Sequence, residues 1–269
     1  MAKTRIDVYL YDNKMVTSRS LAQRLVMAGE VLVNGERVLK PSQKIDEDSK
    51  VELIHKPQFV SRGGEKLDAG LKQFGLLDLS GKICADVGSS TGGFTDCLLQ
   101  YGAEKVYSID VGYGILHWKL RNHPKVVVME RMNARDITSL PDPINFVTID
   151  ASFISLKILL PVIKNWITNQ CQIMMLIKPQ FEAGRKDAAK GSGVIRNHEV
   201  HHKILCEIIG FSLDIGFQFE GLTLSPLKGP KGNIEFLCYL TYDENANSNN
   251  QEMKDLALEN ITSIIDSLP

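Results

Sequence analysis

The sequence has no excess of charge of either sign and no apolar run that approaches the length of a membrane span. Its 269 residues carry 31 Lys and Arg against 32 Asp and Glu, a formal net charge of −1. A protein that binds nucleic acid through a basic field over its whole surface has a large positive charge, so such binding here must use local basic patches. The lack of long apolar runs argues against a membrane as partner.

Cysteine is scarce, and its five copies have neither an even number nor the spacing of a metal site. Disulfide-stabilised extracellular proteins normally contain paired cysteines, whereas single cysteines in apolar runs are typical of reduced core residues. The N-terminal segment MAKTRIDVYL has no hydrophobic signal sequence. These absences predict a cytoplasmic protein without a metal site.

Two common nucleotide-binding signatures are missing from the most informative stretch of the chain, ICADVGSSTGGFTD at 83–96. A strand-like apolar run ends at Val87, and Gly88, Gly92 and Gly93 follow before apolar residues resume. The glycines lack the G-x-G-x-x-G spacing of dinucleotide-binding proteins, and no Lys follows them as in a P-loop. What remains is a strand, a glycine turn and a helix start, which together can hold an electron-rich ligand group against bare backbone.

Two acidic residues narrow the choice of ligand. Asp86 ends the first strand beside the glycines, and Asp110 ends the second strand. A carboxylate at the tip of the second strand suits a ribose diol, and one beside the turn suits a cation better than a pyrophosphate. S-adenosylmethionine carries both a ribose and a positive charge, so the pattern favours this cofactor. A tight turn with a surface Asp is the simpler alternative.

Strands and helical segments alternate after the turn, which predicts an α/β fold with an open, mostly parallel seven-stranded sheet and helices on both faces. The expected strands are 83–87, 105–110, 125–129, 144–150, 172–178, 217–224 and 234–240. Ligands of such sheets gather at the carboxyl ends of the strands. Asp86, Asp110, Asp150 and Lys178 all fall on that edge.

Charged residues in apolar strands are the candidates for chemistry. Asp150 and Lys178 each end an apolar run, and Glu235 is expected inside an apolar strand. Because an apolar environment disfavours an unpaired charge, each needs a partner. Lys66, in the first turn of an amphipathic segment, can join them in a set of alternating charges around a substrate. Structural ion pairing is the alternative for each.

Residues 1–57 form a separate α+β unit with two short helices, a hairpin at Asn34-Gly35 and a further strand. In Arg5 and Asp7, Ser18-Arg19 and the residues around Asn34, it resembles the alpha-L RNA-binding domain, also found in ribosomal protein S4. The resemblance implies that a basic face binds structured RNA through its phosphates; a solvated charged face is the alternative. The expected RNA contacts are Arg5, Lys14, Arg19, Arg24, Asn34, Arg37 and Lys40.

Five motifs follow one another in the rest of the chain: SRGGEKL at 61–67, DVGSSTGGFTD at 86–96, IDASFI at 149–154, IKPQFE at 177–182 and SPLKGPKGNIE at 225–235. In this order they resemble the hemolysin A (TlyA) family of ribosomal RNA 2′-O-methyltransferases. The resemblance implies a Rossmann-like class I methyltransferase domain of the FtsJ/RrmJ type. It also implies S-adenosylmethionine-dependent methylation of a ribose, at cytidines of 23S and in some members also 16S ribosomal RNA.

The family has a Lys-Asp-Lys-Glu catalytic tetrad, which the resemblance places at Lys66, Asp150, Lys178 and Glu235. The expected cofactor-binding residues are Ser61, Gly63, Gly64, Asp86, Gly88, Ser90, Gly92, Gly93, Phe94, Asp110 and Asp136, although a helix-start role suits Asp136 nearly as well. A basic, glycine-rich segment follows the Lys178 strand, and either closes over RNA phosphate or is disordered. It contributes Arg185, Lys186 and Lys190 as expected RNA contacts.

The chain therefore divides into an RNA-binding domain at 1–57, a linker at 58–60, a methyltransferase domain at 61–243, and a polar linker with an amphipathic helix at 244–269. This helix docks either on the body or on a partner chain. Two other functions stay open. A membrane-active hemolysin would need a span, a basic amphipathic helix or a secretion signal, none of which the sequence has. A non-catalytic RNA-binding protein would have a broken tetrad or a filled glycine turn, and the sequence has neither.

Overall fold

The computed structural model describes residues 3–16, 18–54, 57–184, 193–245 and 250–268. The chain divides into two compact units, Met1–Gln58 and Phe59–Pro269. Phe59, which the sequence analysis assigns to a linker, is buried in the second unit. The next residue, Val60, donates its backbone N–H to the Asp96 carboxylate of that unit at 2.8 Å. The expected RNA contacts Arg185, Lys186 and Lys190 lie outside the described residues.

The first unit is a small α+β domain. Its elements are β1 (Lys3–Arg5), α1 (Ile6–Asp12), α2 (Arg19–Met27), β2 (Val31–Val33), β3 (Glu36–Arg37), β4 (Lys44–Asp46) and β5 (Val51–Leu53). β1 pairs with β4, and β2 pairs with both β3 and β5, all antiparallel. Asn34 and Gly35 have φ of 53° and 84°, which the tight β2–β3 hairpin requires. Arg5 belongs to β1 rather than to the first helix, because it pairs with Lys44.

Asp7 is a fully buried carboxylate between the two helices of this unit. It accepts hydrogen bonds from Arg5 Nε at 2.9 Å, Gln23 Nε2 at 2.9 Å and Arg19 Nη2 at 3.2 Å. The bond from Arg5 holds the pKa of Asp7 well below its usual range. Two expected RNA contacts, Arg5 and Arg19, thus also hold the fold, although their side chains stay 43% and 51% exposed.

We expect Asp7→Asn to lower the urea concentration at which α1 and α2 lose amide protection, because Asn cannot pair with two guanidinium groups. The folded unit depresses the pKa of Asp7, so the stabilisation is present above about pH 4 and is lost as the pH falls through the folded value. Hydrogen exchange in urea at about pH 7 measures the first effect, and a series from about pH 4 down to about pH 2 measures the second. The control is Asp46→Asn, which removes only an exposed pair with Lys3. Equal losses in the two variants would contradict the assignment.

The second unit contains a seven-stranded sheet. Its strands are β6 (Ile83–Val87), β7 (Lys105–Asp110), β8 (Val126–Glu130), β9 (Ile144–Ile149), β10 (Ile167–Ile177), β11 (Gln218–Leu224) and β12 (Phe236–Tyr242). They lie in the order β11-β12-β10-β9-β6-β7-β8. β8, β7, β6, β9 and β10 are parallel, whereas β12 runs antiparallel to both β10 and β11. The predicted mostly parallel Rossmann-like sheet is therefore confirmed.

The helices of this unit cover both faces of the sheet. They are α3 (Gly63–Gln73), α4 (Gly93–Gln100), α5 (Trp118–Arg121), α6 (Leu156–Ile163), α7 (Pro179–Glu182), α8 (His198–Asp214) and α9 (Asn250–Asp266). Successive strand residues enter opposite cores: Phe146 packs with residues of α3 and α4, and Val147 with residues of α6, α8 and α9. The C-terminal helix α9 packs on α8 and β11 of this chain.

Some boundaries differ from the sequence predictions near the charged residues. β12 begins at Phe236, so Glu235 lies just before the strand rather than inside it. Lys178 follows β10, because Pro179 has no N–H to continue the pairing and begins α7 instead. Both charges therefore sit where the sheet gives way to loops. None of the helices in the described part of the chain combines the length and the apolar character needed to cross a membrane.

Candidate active site

The glycine turn after β6 requires glycine for two reasons, its backbone conformation and its neighbours. Gly88 has φ of 84°, a left-handed conformation that favours glycine. A Cβ on Gly88 would also lie 2.8 Å from the backbone oxygen of Asp150 and 2.9 Å from the backbone nitrogen of Ala151. The turn therefore lies directly against the chain that leaves β9, and it brings Asp150 to the same edge.

A cavity of about 270 Å³ opens beyond the carboxyl ends of the strands. Among the predicted site residues, Gly88, Ser90, Asp110 and Asp150 line it. Its wall is mainly apolar and includes Ile109, Val111, Ile115, Met132, Ile154 and Leu159. Apolar walls with a few convergent polar groups are typical of a small-molecule site.

Asp110 is held in place by the backbone around it. Its two carboxylate oxygens accept hydrogen bonds from the N–H groups of Ser90 and Gly112, both at 2.7 Å. Each oxygen keeps a further lone pair, so the carboxylate can still accept hydrogen bonds from hydroxyl groups of a ligand.

Asp86 does not face the cavity, which corrects the prediction that it contacts a cationic ligand. The residue is fully buried and accepts hydrogen bonds from the hydroxyls of Thr95 at 2.6 Å and Thr148 at 3.1 Å. Burial raises the pKa of Asp86 to about 7. Asp86 thus joins β6, α4 and β9 beneath the turn. From the sequence alone, an Asp at the end of a buried strand looks the same whether its side chain faces the cavity or is buried beneath the turn.

The other glycines of the predicted cofactor set serve close packing in the structure. A Cβ on Gly93 would lie 2.7 Å from the backbone nitrogen of Gly64 and 3.1 Å from Cα of Gly63, and it would also overlap Ser61. These four residues therefore allow the first turn of α3 to rest on the first turn of α4. They border the glycine turn but do not line the cavity.

Three further members of that set also lie away from the cavity lining. A Cβ on Gly92 would overlap the side chains of Leu116 and Leu120. Phe94 is buried in the core. The Asp136 side chain is 70% exposed and pairs with Arg135 at 3.4 Å, which favours the alternative that it is a surface residue of the short helix Ala134–Asp136.

Lys66 and Glu235 form a buried ion pair. Lys66 lies in the first turn of α3, and its Nζ is 2.5 Å from Glu235 Oε2. Their side chains are only 8% and 1% exposed. Since 169 positions separate them along the chain, only the packing of α3 beside the start of β12 brings them together.

Lys178 and Asp150 form a second ion pair at the cavity, with 2.6 Å between Lys178 Nζ and Asp150 Oδ1. The ammonium group also donates to the backbone oxygen of Asp150 at 3.2 Å and to the hydroxyl of Ser152 at 3.1 Å. Burial raises the pKa of Asp150, whereas the positive charges of Lys178 and then Lys66 lower it and Glu235 raises it further. All four predicted tetrad residues therefore interact within one cluster.

Three residues at this site were missed by the sequence analysis. Ser152 lines the cavity and contacts Lys178. Phe153 also lines it, with a side chain 90% exposed, φ of 64° and a ring 4.8 Å from the ring of Phe181. Gln180 donates a hydrogen bond to Glu235 at 3.3 Å. Their only signal was membership of the motifs at 149–154 and 177–182.

Within the described ranges, no three His, Cys, Asp or Glu side chains group as a metal site.

Comparison with known proteins matches both units. The FtsJ-like methyltransferase model matches residues 59–242, and the S4 domain model matches residues 4–51. Hemolysin A of Brachyspira hyodysenteriae is 44% identical over 238 residues, which cover 87% of this chain and 98% of that protein. The 16S/23S rRNA (cytidine-2′-O)-methyltransferase TlyA of Mycobacterium tuberculosis is 36% identical over 242 residues, covering 88% and 90%. The solved structure of a candidate hemolysin from Streptococcus thermophilus is 40% identical, with a TM-score of 0.71 and 98% of each chain covered.

The packing of the turn predicts that an Ala substitution destabilises the protein more at Gly88 than at Gly81, a glycine of similar φ. Gly81, with φ of 74°, has no atom within 4 Å of an added Cβ, so Gly81→Ala adds only the backbone strain of about 1–2 kcal/mol. Gly88→Ala adds a collision with the Asp150 backbone, and we expect it to cost about 1–3 kcal/mol more in the free energy of unfolding. Urea unfolding of both variants measures the difference. Equal costs would mean that the contact with β9 does not constrain the turn.

Proposed function

Because the chain belongs to the FtsJ-like methyltransferase family, we propose that it transfers the methyl group of S-adenosylmethionine to a ribose 2′-hydroxyl of ribosomal RNA. The observation that carries the proposal is the position of Asp150. This residue lines the cavity and also holds Lys178, the cation expected to act on the hydroxyl. A cofactor in the cavity and a nucleotide beside Lys178 would therefore meet at a single carboxylate.

The residues of the cavity suit S-adenosylmethionine. Gly88 offers bare backbone, and Asp110 offers carboxylate lone pairs to the hydroxyls of the cofactor ribose. The apolar wall near Ile115 and Met132 suits a flat purine. When bound, the cofactor would supply a methyl group attached to a positively charged sulfur, and this sulfur would leave as a neutral thioether once the methyl carbon bonds to the ribose oxygen.

Lys178 is assigned to the 2′-oxygen. Its ammonium group is directed to Asp150 Oδ1, the Asp150 backbone oxygen and the Ser152 hydroxyl. Among the described residues only the Asp150 backbone oxygen and the Ser152 hydroxyl accept hydrogen bonds from it, so a substrate oxygen can take its third N–H or replace the neutral Ser152 hydroxyl, the weaker acceptor. Lys178 then donates a hydrogen bond to the ribose oxygen and stabilises the negative charge that develops as the hydroxyl proton passes to solvent water. Asp150 holds the ammonium group in place.

Lys66 and Glu235 are assigned to positioning the ribose. Two Lys and two carboxylates in one cluster sum to zero charge when all are ionised, so the site can be buried without a net charge. A rigid neutral cluster favours catalysis by alignment of the hydroxyl with the methyl group, with proton handling second.

The proposed substrate is a cytidine of ribosomal RNA. TlyA of Mycobacterium tuberculosis is named for this reaction on 16S and 23S rRNA. The S4 domain supports RNA binding, because Lys14, Arg19, Arg24, Arg37 and Lys40 are all exposed on the first unit. A protein with this substrate acts in the cytoplasm, where ribosomes are assembled.

The test is methyl transfer from labelled S-adenosylmethionine to purified ribosomal subunits. We expect Lys178→Ala to lower kcat by about 100-fold or more, because it removes the group that stabilises the oxygen. The Kd for the cofactor, measured by calorimetry, should change little. The control is Lys157→Ala, which removes only a half-exposed Lys paired with Glu207. Near-normal methyl transfer by Lys178→Ala would remove the assigned role.

A wild-type chain that binds the cofactor but methylates neither subunit would overturn the proposed substrate. A chain that binds no S-adenosylmethionine would overturn the proposed reaction. Mapping of the 2′-O-methyl groups in the labelled RNA identifies the nucleotide.

A further inference from the structure

Gln180 connects the two ion pairs of the proposed site. It lies two residues after Lys178, at the start of α7, and its Nε2 donates a hydrogen bond to Glu235 Oε1 at 3.3 Å. The other oxygen of Glu235 is held by Lys66 at 2.5 Å. The segment that carries Lys178 is thus joined through one amide to the Lys66–Glu235 pair.

The orientation of the Gln180 amide follows from its neighbours. Only Nε2 can donate to a carboxylate, whereas Oε1 in that position would face another acceptor. Oε1 is buried and has no hydrogen-bond partner among the described residues, so no competing contact favours the reversed orientation. The hydrogen bond to Glu235 therefore determines the orientation of the Gln180 amide.

The loop before β12 closes over this contact. A Cβ on Gly229 would lie 2.5 Å from Glu235 Oε1 and 3.6 Å from Gln180 Nε2. Glycine at this position lets the backbone of the loop cover both groups. The hydrogen bond is thus partly shielded from water, which strengthens its hold on the carboxylate.

A neutral donor is the type of group that this position requires. The cluster already balances two Lys against two carboxylates. A Glu at 180 would place a third carboxylate against Glu235, and a Lys or Arg would compete with Lys66 for it. An apolar side chain would leave Oε1 of Glu235 without this donor. The amide alone restrains Glu235 without changing the charge.

We infer that Gln180 is a positioning residue of methyl transfer: its amide fixes Glu235, and with it Lys66, relative to Lys178. The inference rests on the proposed function, because it concerns the alignment of the ribose between the two Lys residues. Gln180 acts through Glu235, so its loss disturbs alignment and should lower kcat more than it weakens the binding of either substrate.

The first experiment compares Gln180→Met with Gln172→Met in the full chain. Gln172 lies on β10 away from the cluster and donates to the Tyr239 hydroxyl at 2.8 Å, so its variant loses one side-chain amide hydrogen bond in the same way. We expect Gln180→Met to lower kcat about 10- to 100-fold, with KM for RNA and Kd for the cofactor within about threefold. Gln172→Met should keep kcat within about twofold of the wild type.

The second experiment uses Gln180→Glu, which keeps the shape of the side chain. Glu235 raises the pKa of the new carboxyl by like-charge repulsion, whereas Lys66 and Lys178 oppose this shift; Lys66 is already paired with Glu235 and Lys178 with Asp150, so we expect the repulsion to prevail. The protonated form is neutral and can donate as the amide did. We expect kcat relative to the wild type to rise as the pH falls from about 8 to about 6. A merely structural loss would leave this ratio constant.

If the wild type is active and Gln180→Met has the same kcat, this inference is wrong and the proposed function stays intact. So would a constant Gln180→Glu ratio across the pH range, or equal losses of kcat in Gln180→Met and Gln172→Met. A wild type that transfers no methyl group would overturn the proposed function, and this inference with it.

Discussion

The arrangement of the second unit depends on the pairing of buried charges at one edge of its sheet. Lys178 and Asp150 are 2.6 Å apart, and Lys66 and Glu235 are 2.5 Å apart. An unpaired charge at such a depth would cost several kcal/mol, so each residue constrains the element that carries its partner. The ends of β9 and β10, the first turn of α3 and the loop before β12 therefore have to meet. The chemistry proposed for the site uses the same constraint.

Close backbone packing sets the other side of the site. Gly88 lies against the chain after β9, and Gly93 lies against Gly63 and Gly64 at the start of α3. The glycine turn is thus joined to Asp150 on one side and to the helix of Lys66 on the other. The cavity bordered by this turn is held by the elements that hold the four charged residues, so in the proposed reaction cofactor binding and alignment share one framework.

The first unit uses the same principle on a smaller scale. Asp7 is buried and is satisfied by Arg5, Arg19 and Gln23, which fixes its two helices together. The guanidinium groups remain about half exposed. One pair of side chains can therefore stabilise the fold and still present positive charge to RNA phosphates, a type of contact that sets position rather than reads sequence.

The type of fold follows from the sequence alone, because alternating apolar strands and helical segments specify a parallel sheet, and so do the polar residues at the carboxyl edge of that sheet. The ordered motifs also identified the four charged residues. The folded structure is what pairs these residues, since contacts such as Lys66 with Glu235 join distant parts of the chain. It also separated Asp86, buried beneath the turn, from Asp110, which faces the cavity, and it placed Gln180 on Glu235. Local sequence patterns report burial and periodicity, but the direction of a side chain at a strand end depends on the elements packed around it.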